Sequence, residues 1–255
     1  MHPILFNVGG RPFYSYGLLA VLAMFVGGYV VQRLSRRHGI DSAAALELTV
    51  AAILGGLVGA RLYWLAEHWH EARGDLLHSV LGGAGFTWYG GLLGGVIAVI
   101  ALARFRHLSL GLAANVMAPA VALGYAVARI GCLLAGDGTY GRPSGLPWAI
   151  AFPRGMVPTA VPVQPTPAYE TLAMLVVFIV LYRMARRPQP GWCVFAWFLV
   201  LSGLERFAAE FLRINQRWLL GLTPPQWFAL AGVLVGTGVL LAQRLRRSEA
   251  LESVA

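Results

Sequence analysis

The sequence predicts an all-α integral membrane protein with seven transmembrane helices, an N-terminus outside the cell membrane and a C-terminus in the cytoplasm. Three observations lead to this prediction. Apolar residues make up 58% of the 255 residues and charged residues only 12%, about half of the charged fraction of a soluble domain. Seven segments are long and apolar enough to cross a bilayer, which takes about 20 residues. The arginines, which make up all 20 of the Lys and Arg residues, are concentrated in alternate loops between these segments.

The seven predicted spans follow one another along the whole chain. They cover residues 12–32, 43–65, 86–103, 108–134, 167–182, 192–212 and 225–243. The first, third and seventh end at clusters of arginine, which favour the membrane surface over its interior. The others are bounded by polar loops, but four spans also carry charged residues within or at the end of the segment: Glu47, Arg61, Arg129, Glu170, Glu205, Arg206 and Glu210.

The distribution of arginine between the loops predicts the orientation. Eleven arginines lie in loops on one side: Arg33, Arg36, Arg37, Arg104, Arg106, Arg183, Arg186, Arg187, Arg244, Arg246 and Arg247. The other side has five: Arg11, Arg73, Arg142, Arg154 and Arg217. Because arginine-rich short loops stay in the cytoplasm, the first side is predicted to be cytoplasmic.

One single membrane domain, residues 1–255, is expected, with a small ordered cap on its outer face. The longest loop, residues 135–166, is rich in Gly and Pro but also contains Trp148, Ile150 and Phe152. This mixture indicates a periplasmic cap rather than a free linker. Residues 67–78, with Trp69 flanked by histidines, predict an interfacial segment on the same face.

The composition excludes several classes of function. The chain is too apolar for a soluble enzyme or a disordered protein, and its charge is scattered along apolar segments, which argues against nucleic acid as a partner. The absence of Lys excludes Schiff-base chemistry on that residue. Cys132 and Cys193 form no ligand pair of the kind that holds a metal, so no metal site is predicted.

The charges inside the spans converge on one end of the predicted bundle. Arg206, Glu210 and Arg213 have the spacing i, i+4, i+7 and share a helical face. Arg129 comes late in the fourth span and Glu170 early in the fifth, so both lie near the same end. Glu205 lies about 100° around the helix from Arg206 and is expected to face another helix.

Two interpretations of these charges remain open. They are ion pairs that fix helix packing, or they form a site for an anionic headgroup, since arginine binds phosphate with a planar fork. Arg129 has no acidic residue within four positions, so we expect its charge to be free and consider it the better phosphate ligand.

Small residues surround Arg129 in the sequence. Glycines after it allow close backbone approach by a loop that closes over a headgroup, at Gly131, Gly136, Gly138 and Gly141. Cys132 is interpreted either as an apolar filler or as a thiol made reactive by Arg129. The glycines of residues 90–95 (GGLLGG) are expected to pack helices together.

Four motifs, in the same order, resemble those of the bacterial prolipoprotein diacylglyceryl transferase family. Ser15-Tyr16-Gly17 resembles the family's Trp-Tyr-Gly, and the sequence from Arg129 to Asp137 is similar in part to Gly-Arg-Ile-Gly-Asn-Phe-x-Asn-x-Glu. Residues 166–170 (TPAYE) resemble Pro-Ser-Gln-Leu-Tyr-Glu, and residues 206–213 (RFAAEFLR) resemble Arg-x-x-x-Glu-Phe-x-Arg. The resemblance covers nearly the whole chain.

The resemblance implies an enzyme of the bacterial inner membrane that matures lipoproteins. Such an enzyme transfers the diacylglyceryl group of phosphatidylglycerol to the lipobox cysteine thiol of a preprolipoprotein signal peptide, without a metal or an organic cofactor. It implies catalytic roles for Arg129, Arg206, Glu210 and Tyr89. It implies substrate-binding roles for Arg129, Tyr16, Gly131, Cys132, Gly136, Asp137, Gly141 and Glu170.

The sequence departs from the family pattern where a proton must be accepted. Tyr89 stands where the family has the His of His-Gly-Gly, while Cys132 and Ala135 replace two Asn residues. A tyrosine, with a pKa near ~10, is a poor base at neutral pH. Glu210, Asp137 or direct ionisation of the substrate thiol are the other candidates. Two further functions stay open: a transporter of lipids or small anions, and a family member that binds anionic lipid without catalysis.

Overall fold

The computed structural model describes residues 3–75, 79 and 87–252. Within these ranges each predicted span corresponds to one long helix. The helices are α1 (Ser15–Arg37), α2 (Ser42–Glu67), the short α3 (Trp69–Ala72), α4 (Trp88–Phe105), α5 (Leu110–Ala135), α6 (Thr166–Ala185), α7 (Cys193–Glu210) and α8 (Pro224–Glu252). The predicted ends are correct to within a few residues, except that α8 continues nine residues beyond its predicted end.

The lengths and composition of the helices make this a multi-pass membrane protein. Five described helices are long and apolar enough to cross a bilayer: α1, α2, α5, α6 and the part Pro224–Arg246 of α8. The apolar part of α4 is shorter, Tyr89–Phe105, and α7 contains Glu205, Arg206 and Glu210. A charged residue inside a spanning helix is costly and usually faces a partner or a cavity, so α7 needs an explanation for its charges.

Two β-hairpins add to the helices that the sequence predicts. The first consists of β1 (Ile4–Val8) and β2 (Arg11–Tyr14), so residues 12–14 are a strand and not the start of the first span. The second consists of β3 (Ile150–Phe152) and β4 (Thr159–Val163). An all-α description therefore omits the hairpin before α1 and the hairpin between α5 and α6, in each of which short strands pair locally across a turn.

The chain forms two compact units. One contains Met1–Val30 and Ala114–Ala255, and the other contains Val31–Ala113. In the second unit, a Cβ at Gly94 of α4 would lie 2.8 Å from the Cα of Gly59 in α2. Helices approach this closely only where both lack side chains, which confirms the packing role predicted for the glycines of residues 90–95.

Residues 135–166 form an ordered cap after α5. Gly136 ends the helix with φ +59°, and its N–H donates to the Cys132 carbonyl at 2.9 Å, a helix end that favours glycine. Tyr140, Phe152 and Val163 form a small buried core, in which the Tyr140 and Phe152 rings stack 5.0 Å apart. Of the predicted interfacial segment, α3 is helical, while residues 76–78 lie outside the described residues.

Candidate active site

The centre of the candidate site is the fully buried carboxylate of Glu170, in the first turn and a half of α6. Its Oε1 accepts from Arg213 Nε at 3.0 Å and from Arg206 Nη1 at 3.3 Å. Its Oε2 accepts from the Tyr125 hydroxyl at 3.0 Å and pairs with Arg129 Nε. Residues from α5, α6, α7 and the segment after α7 therefore meet on one carboxylate. We call Arg129, Glu170, Arg206, Glu210 and Arg213 the arginine cluster.

Arg129 has one partner on its own helix, Tyr125, and one on the neighbouring helix α6, Glu170. Its Nε and Nη2 donate to the Tyr125 hydroxyl at 3.0 and 2.9 Å, and its guanidinium lies over the Tyr125 ring. The expectation that the charge of Arg129 is free was wrong, because Glu170 reaches it from α6. The third nitrogen of the Arg129 guanidinium, Nη1, lies 3.6 Å from the Cys132 sulfur.

Arg206 joins the two carboxylates of the arginine cluster. Its Nη2 lies 2.6 Å from Glu210 Oε2 on the same face of α7, as their i, i+4 spacing predicts. Asn215 completes this pair by donating to Glu210 Oε1 at 2.5 Å. The Arg206 side chain is 22% exposed, compared with 13% for Arg129 and 8% for Arg213. Arg206 and Arg129 are thus the arginines of the cluster with most surface left for a ligand.

Arg213 is positioned by the cap. Gly141 forms an isolated antiparallel bridge with Arg213, and the Arg142 N–H donates to the Leu212 carbonyl at 2.9 Å. Burial lowers the pKa of the Arg213 guanidinium, an effect that the charge of Glu170 opposes. A guanidinium starts from a pKa above about 12, so it stays charged at neutral pH.

The charges of the arginine cluster do not balance. Three guanidinium groups face two ion-paired carboxylates, Glu170 and Glu210, so three positive charges minus two negative charges leave one positive charge. Both interpretations of the sequence thus find support: the charges are paired and fix the helices, and one unit of positive charge remains beside the more exposed guanidinium groups.

Tyr16, Gly131 and Cys132 lie beside the arginine cluster. A Cβ at Gly131 in α5 would lie 3.4 Å from the Cα of Tyr16 in α1, so this glycine allows the two helices to approach. The Tyr16 side chain is about half exposed, whereas Cys132 is buried. These positions are compatible with a wall of a lipid site on one side of Arg129.

The loop residues of the predicted site have mainly backbone roles. Asp137 Oδ1 accepts from the Thr139 N–H at 3.2 Å and from the Thr139 hydroxyl at 2.7 Å, which shapes the turn after α5. A Cβ at Gly141 would lie 2.6 Å from the Leu212 carbonyl oxygen and 2.9 Å from Thr166 Cγ2. Gly136 and Gly141 are therefore required by local packing, and the structure does not bring Asp137 onto the arginine cluster by a hydrogen bond.

A family model described as prolipoprotein diacylglyceryl transferase matches residues 3–242. The chain belongs to this family. Three curated relatives carry the name phosphatidylglycerol–prolipoprotein diacylglyceryl transferase. The protein of Geobacter sulfurreducens is 33% identical over 83% of this chain and 82% of its own length. Those of Clostridium tetani and Dehalococcoides mccartyi are 26% and 28% identical, each over 97% of this chain and over 100% and 96% of their own lengths. The resemblance predicted from four motifs is confirmed.

Two features of this diacylglyceryl transferase family member bear on its proton chemistry. Tyr89, which replaces the family's His, lies at the start of α4 in the other compact unit and is 44% exposed. In residues 3–75, 79 and 87–252, no group of three or more His, Cys, Asp or Glu side chains is arranged to hold a metal ion.

Three site residues were not selected from the sequence. Tyr125 precedes Arg129 by one helical turn, and its hydroxyl links Arg129 to Glu170; the i, i+4 spacing could have indicated it. Arg213 was recognised as a charged residue but not as part of the site. Asn215 lies in an irregular segment after α7, where no periodicity in the sequence indicates a side-chain direction.

Proposed function

We propose that this chain transfers the diacylglyceryl group of phosphatidylglycerol to the lipobox cysteine thiol of preprolipoproteins. The observation that carries the proposal is the arginine cluster, which is built from residues of the matched family and in which three guanidinium groups share two ion-paired carboxylates. Phosphatidylglycerol offers a phosphodiester that such a cation can bind. The relatives' names supply the two substrates.

The proposed reaction is a displacement at carbon. The thiol sulfur attacks the carbon of the diacylglyceryl group that carries the phosphate ester. The bond between this carbon and the ester oxygen breaks. The bonding electrons leave with the oxygen, so glycerol phosphate departs with one more negative charge than the phosphate had in the lipid. A group that favours the transition state must therefore stabilise charge on the departing phosphate.

Arg129 and Arg206 are proposed to provide that stabilisation. They are the two arginines of the cluster with the more exposed side chains, and both are charged at neutral pH. Glu170 and Glu210 orient them by ion pairs, and Tyr125 fixes the plane of the Arg129 guanidinium. Arg213 has the least exposed side chain of the three arginines. It is proposed to balance the charge of Glu170 rather than to bind the headgroup.

The setting of the reaction is proposed as the bacterial inner membrane, with one polytopic domain over residues 1–255. We propose seven spans with the N-terminus outside, an arrangement in which the cap, residues 135–166, lies on the periplasmic face. The lipid site is then bordered by Tyr16, Gly131, Cys132, Gly136, Asp137, Gly141 and Glu170. The signal peptide of the preprolipoprotein reaches this site from within the membrane, where other membrane lipids are also partners.

A second candidate function is the binding of anionic lipid without catalysis. The observation that favours it is Tyr89, which stands where the family has a histidine, because a phenol hydroxyl is a much poorer general base than an imidazole. In this case the ion pairs of the arginine cluster hold a headgroup and no bond is broken.

A single assay separates the two functions. Purified protein in detergent micelles with phosphatidylglycerol is mixed with a reduced lipobox peptide, and the peptide mass is followed over time. We expect a mass increase of one diacylglyceryl group and release of glycerol phosphate. If a family member with the His modifies the peptide and this protein does not, catalysis is contradicted and lipid binding alone remains.

Lipid binding itself is predicted to depend on Arg129. Arg129→Ala removes one of the two more exposed cations, and we expect the affinity for phosphatidylglycerol to fall about tenfold or more, as for loss of a charge-assisted hydrogen bond worth about 1.5–3 kcal/mol. The measurement is retention of labelled lipid by the purified protein. Arg104→Ala, which removes an exposed arginine at the end of α4, is the matched control, and equal losses in both variants would contradict the role of Arg129.

A further inference from the structure

We propose that Glu205 is the general base that accepts the proton of the acceptor thiol. The inference rests on the proposed transfer reaction and assigns a step for which the family's histidine is missing. Glu205 immediately precedes Arg206 in α7. It was expected from the sequence only to face another helix.

Among the described carboxylates near the site, Glu205 is the one with a buried oxygen that has neither a hydrogen bond nor an ion pair. Glu170 uses both oxygens for arginine and tyrosine. Glu210 Oε1 accepts from Asn215, and Glu210 Oε2 has no hydrogen bond but is ion-paired with Arg206 at 2.6 Å. Asp137 accepts twice from Thr139 through Oδ1, and its carboxylate lies beside the Cys132 thiol. Glu205 Oε1, in contrast, is shielded from solvent and has no hydrogen-bond partner within the described residues. A buried polar atom without a partner is costly and calls for a ligand or a chemical role.

The Glu205 carboxylate lies in the electrostatic field of the arginine cluster. The charged groups that act on it are Glu170 from α6, Arg129 from α5, Arg206 on α7 and Arg213 after it. The Tyr125 hydroxyl of α5 also interacts with its charge. Helix α8 packs against α7 at Gly203 and Gly236, and residues 224–243 of that helix are uncharged. Glu205 therefore lies within electrostatic reach of the groups proposed to hold the phosphate.

Proton transfer to Glu205 would couple the two halves of the reaction. The S–H bond breaks, its proton goes to Glu205, and the sulfur electrons form the bond to the glyceryl carbon as the carbon–oxygen bond to phosphate breaks. With Glu205 ionised, three arginines and three carboxylates give a net charge of zero. Once Glu205 carries the proton, it no longer offsets the one positive charge of the arginine cluster, at the moment when the departing phosphate gains a negative one. The proton then passes to the glycerol phosphate or to water, which restores the carboxylate.

The test compares Glu205→Gln with the unaltered protein on two acceptor peptides. One peptide carries the lipobox cysteine and the other carries selenocysteine, whose selenol is already ionised at neutral pH; both are kept reduced. We expect Glu205→Gln to slow transfer to the thiol about 10²–10⁴-fold at neutral pH, the range for loss of a general base. Transfer to the selenol should stay within a few-fold of the unaltered protein. In Glu205→Gln, the rate of transfer to the thiol should rise as the pH approaches the thiol pKa of ~8.5, because more of the thiol is then ionised.

Two controls keep the outcomes distinct. Glu67→Gln removes an exposed carboxylate at the end of α2 and should change neither rate, while Glu205→Gln should retain at least as much phosphatidylglycerol as the unaltered protein, because it loses a negative charge beside the arginine cluster. If Glu205→Gln transfers to both peptides normally, or to neither, Glu205 is not the base and the inference is overturned. If the unaltered protein modifies neither peptide, the proposed function falls and the inference falls with it.

Discussion

Glu170 shows how a single residue can organise a site without taking part in the chemistry. Its side chain is fully buried and accepts from three arginines and one tyrosine. An isolated carboxylate at this depth would be strongly unfavourable, and so would each arginine alone. Each group is thus tolerated because the others are present, and the cluster behaves as a unit.

Glu170→Gln is predicted to disrupt this unit. The substitution keeps the shape of the side chain but removes the negative charge from among three guanidinium groups. Breaking a buried ion pair from one side costs about 3–5 kcal/mol, so we expect a clearly lower thermal midpoint and loss of nearly all transferase activity. Both are measured on purified protein, by a thermal unfolding curve and by the peptide mass assay.

The Glu47–Arg106 pair provides the comparison for this prediction. Arg106 Nε donates to Glu47 Oε2 at 2.7 Å, but both side chains are more than one third exposed. Exposed ion pairs contribute little because water already solvates both charges. Glu47→Gln should leave the thermal midpoint and the activity close to those of the unaltered protein, and a loss as large as that of Glu170→Gln would contradict the special status of Glu170.

At the scale of elements, the junction between the cap and the end of α7 decides where Arg213 lies. The Gly141 N–H donates to the Gln164 carbonyl at 2.8 Å, and the Gln164 N–H donates to the Arg142 carbonyl at 3.0 Å. Thr166 adds a bond from its hydroxyl to the Thr139 carbonyl at 2.7 Å. These bonds tie the cap to the start of α6, so the cap links Glu170 and Arg213 through the backbone as well as through their side chains.

Gly141→Ala is therefore predicted to reduce activity through the position of Arg213. The added methyl group meets the Leu212 carbonyl oxygen at 2.6 Å, and backbone must move to admit it. A misplacement of about 1 Å in an active site can lower a rate about 10²-fold, so we expect a fall of tenfold or more in the peptide assay. Gly145→Ala is the control from the same cap, because nothing lies within 4 Å of a Cβ there; a similar loss in that variant would contradict the explanation.

The elements and the contacts of this protein were predictable to different degrees. The seven helices follow from long apolar segments, and the Arg206–Glu210 pair follows from its i, i+4 spacing. The contacts of Glu170 with Arg206 and Arg213 join residues 36 and 43 positions apart, and no local pattern encodes such a pairing. The same reason explains why Arg129 was expected to carry a free charge. The two hairpins were missed because strands of three to five residues have too few positions for a clear alternation.

At the scale of the whole molecule, the arginines divide into two groups with different physical roles. Those at the ends of helices lie next to water and cost nothing to keep charged, whereas Arg129, Arg206 and Arg213 depend on carboxylates from other elements. The first group can determine the topology simply through the number of arginines on each side of the membrane. The second group depends on specific neighbouring side chains, and we proposed that Arg129 and Arg206 in it act on the substrate. One substitution in this group should therefore matter more than several among the others.

The first group leads to a prediction about orientation that a reporter fusion can check. Because the arginine-rich loops should stay in the cytoplasm, alkaline phosphatase fused after Gly145 in the cap should be active, since it needs the disulfides that form outside the cytoplasm. The same enzyme fused after His107, beside Arg104 and Arg106, should be inactive. Green fluorescent protein at the C-terminus, after the arginines that end the seventh span, should fluoresce in the cytoplasm. Phosphatase activity after His107 with none after Gly145 would invert the orientation and place the arginine cluster at the cytoplasmic end of the helices, where a periplasmic lipobox thiol could not reach it.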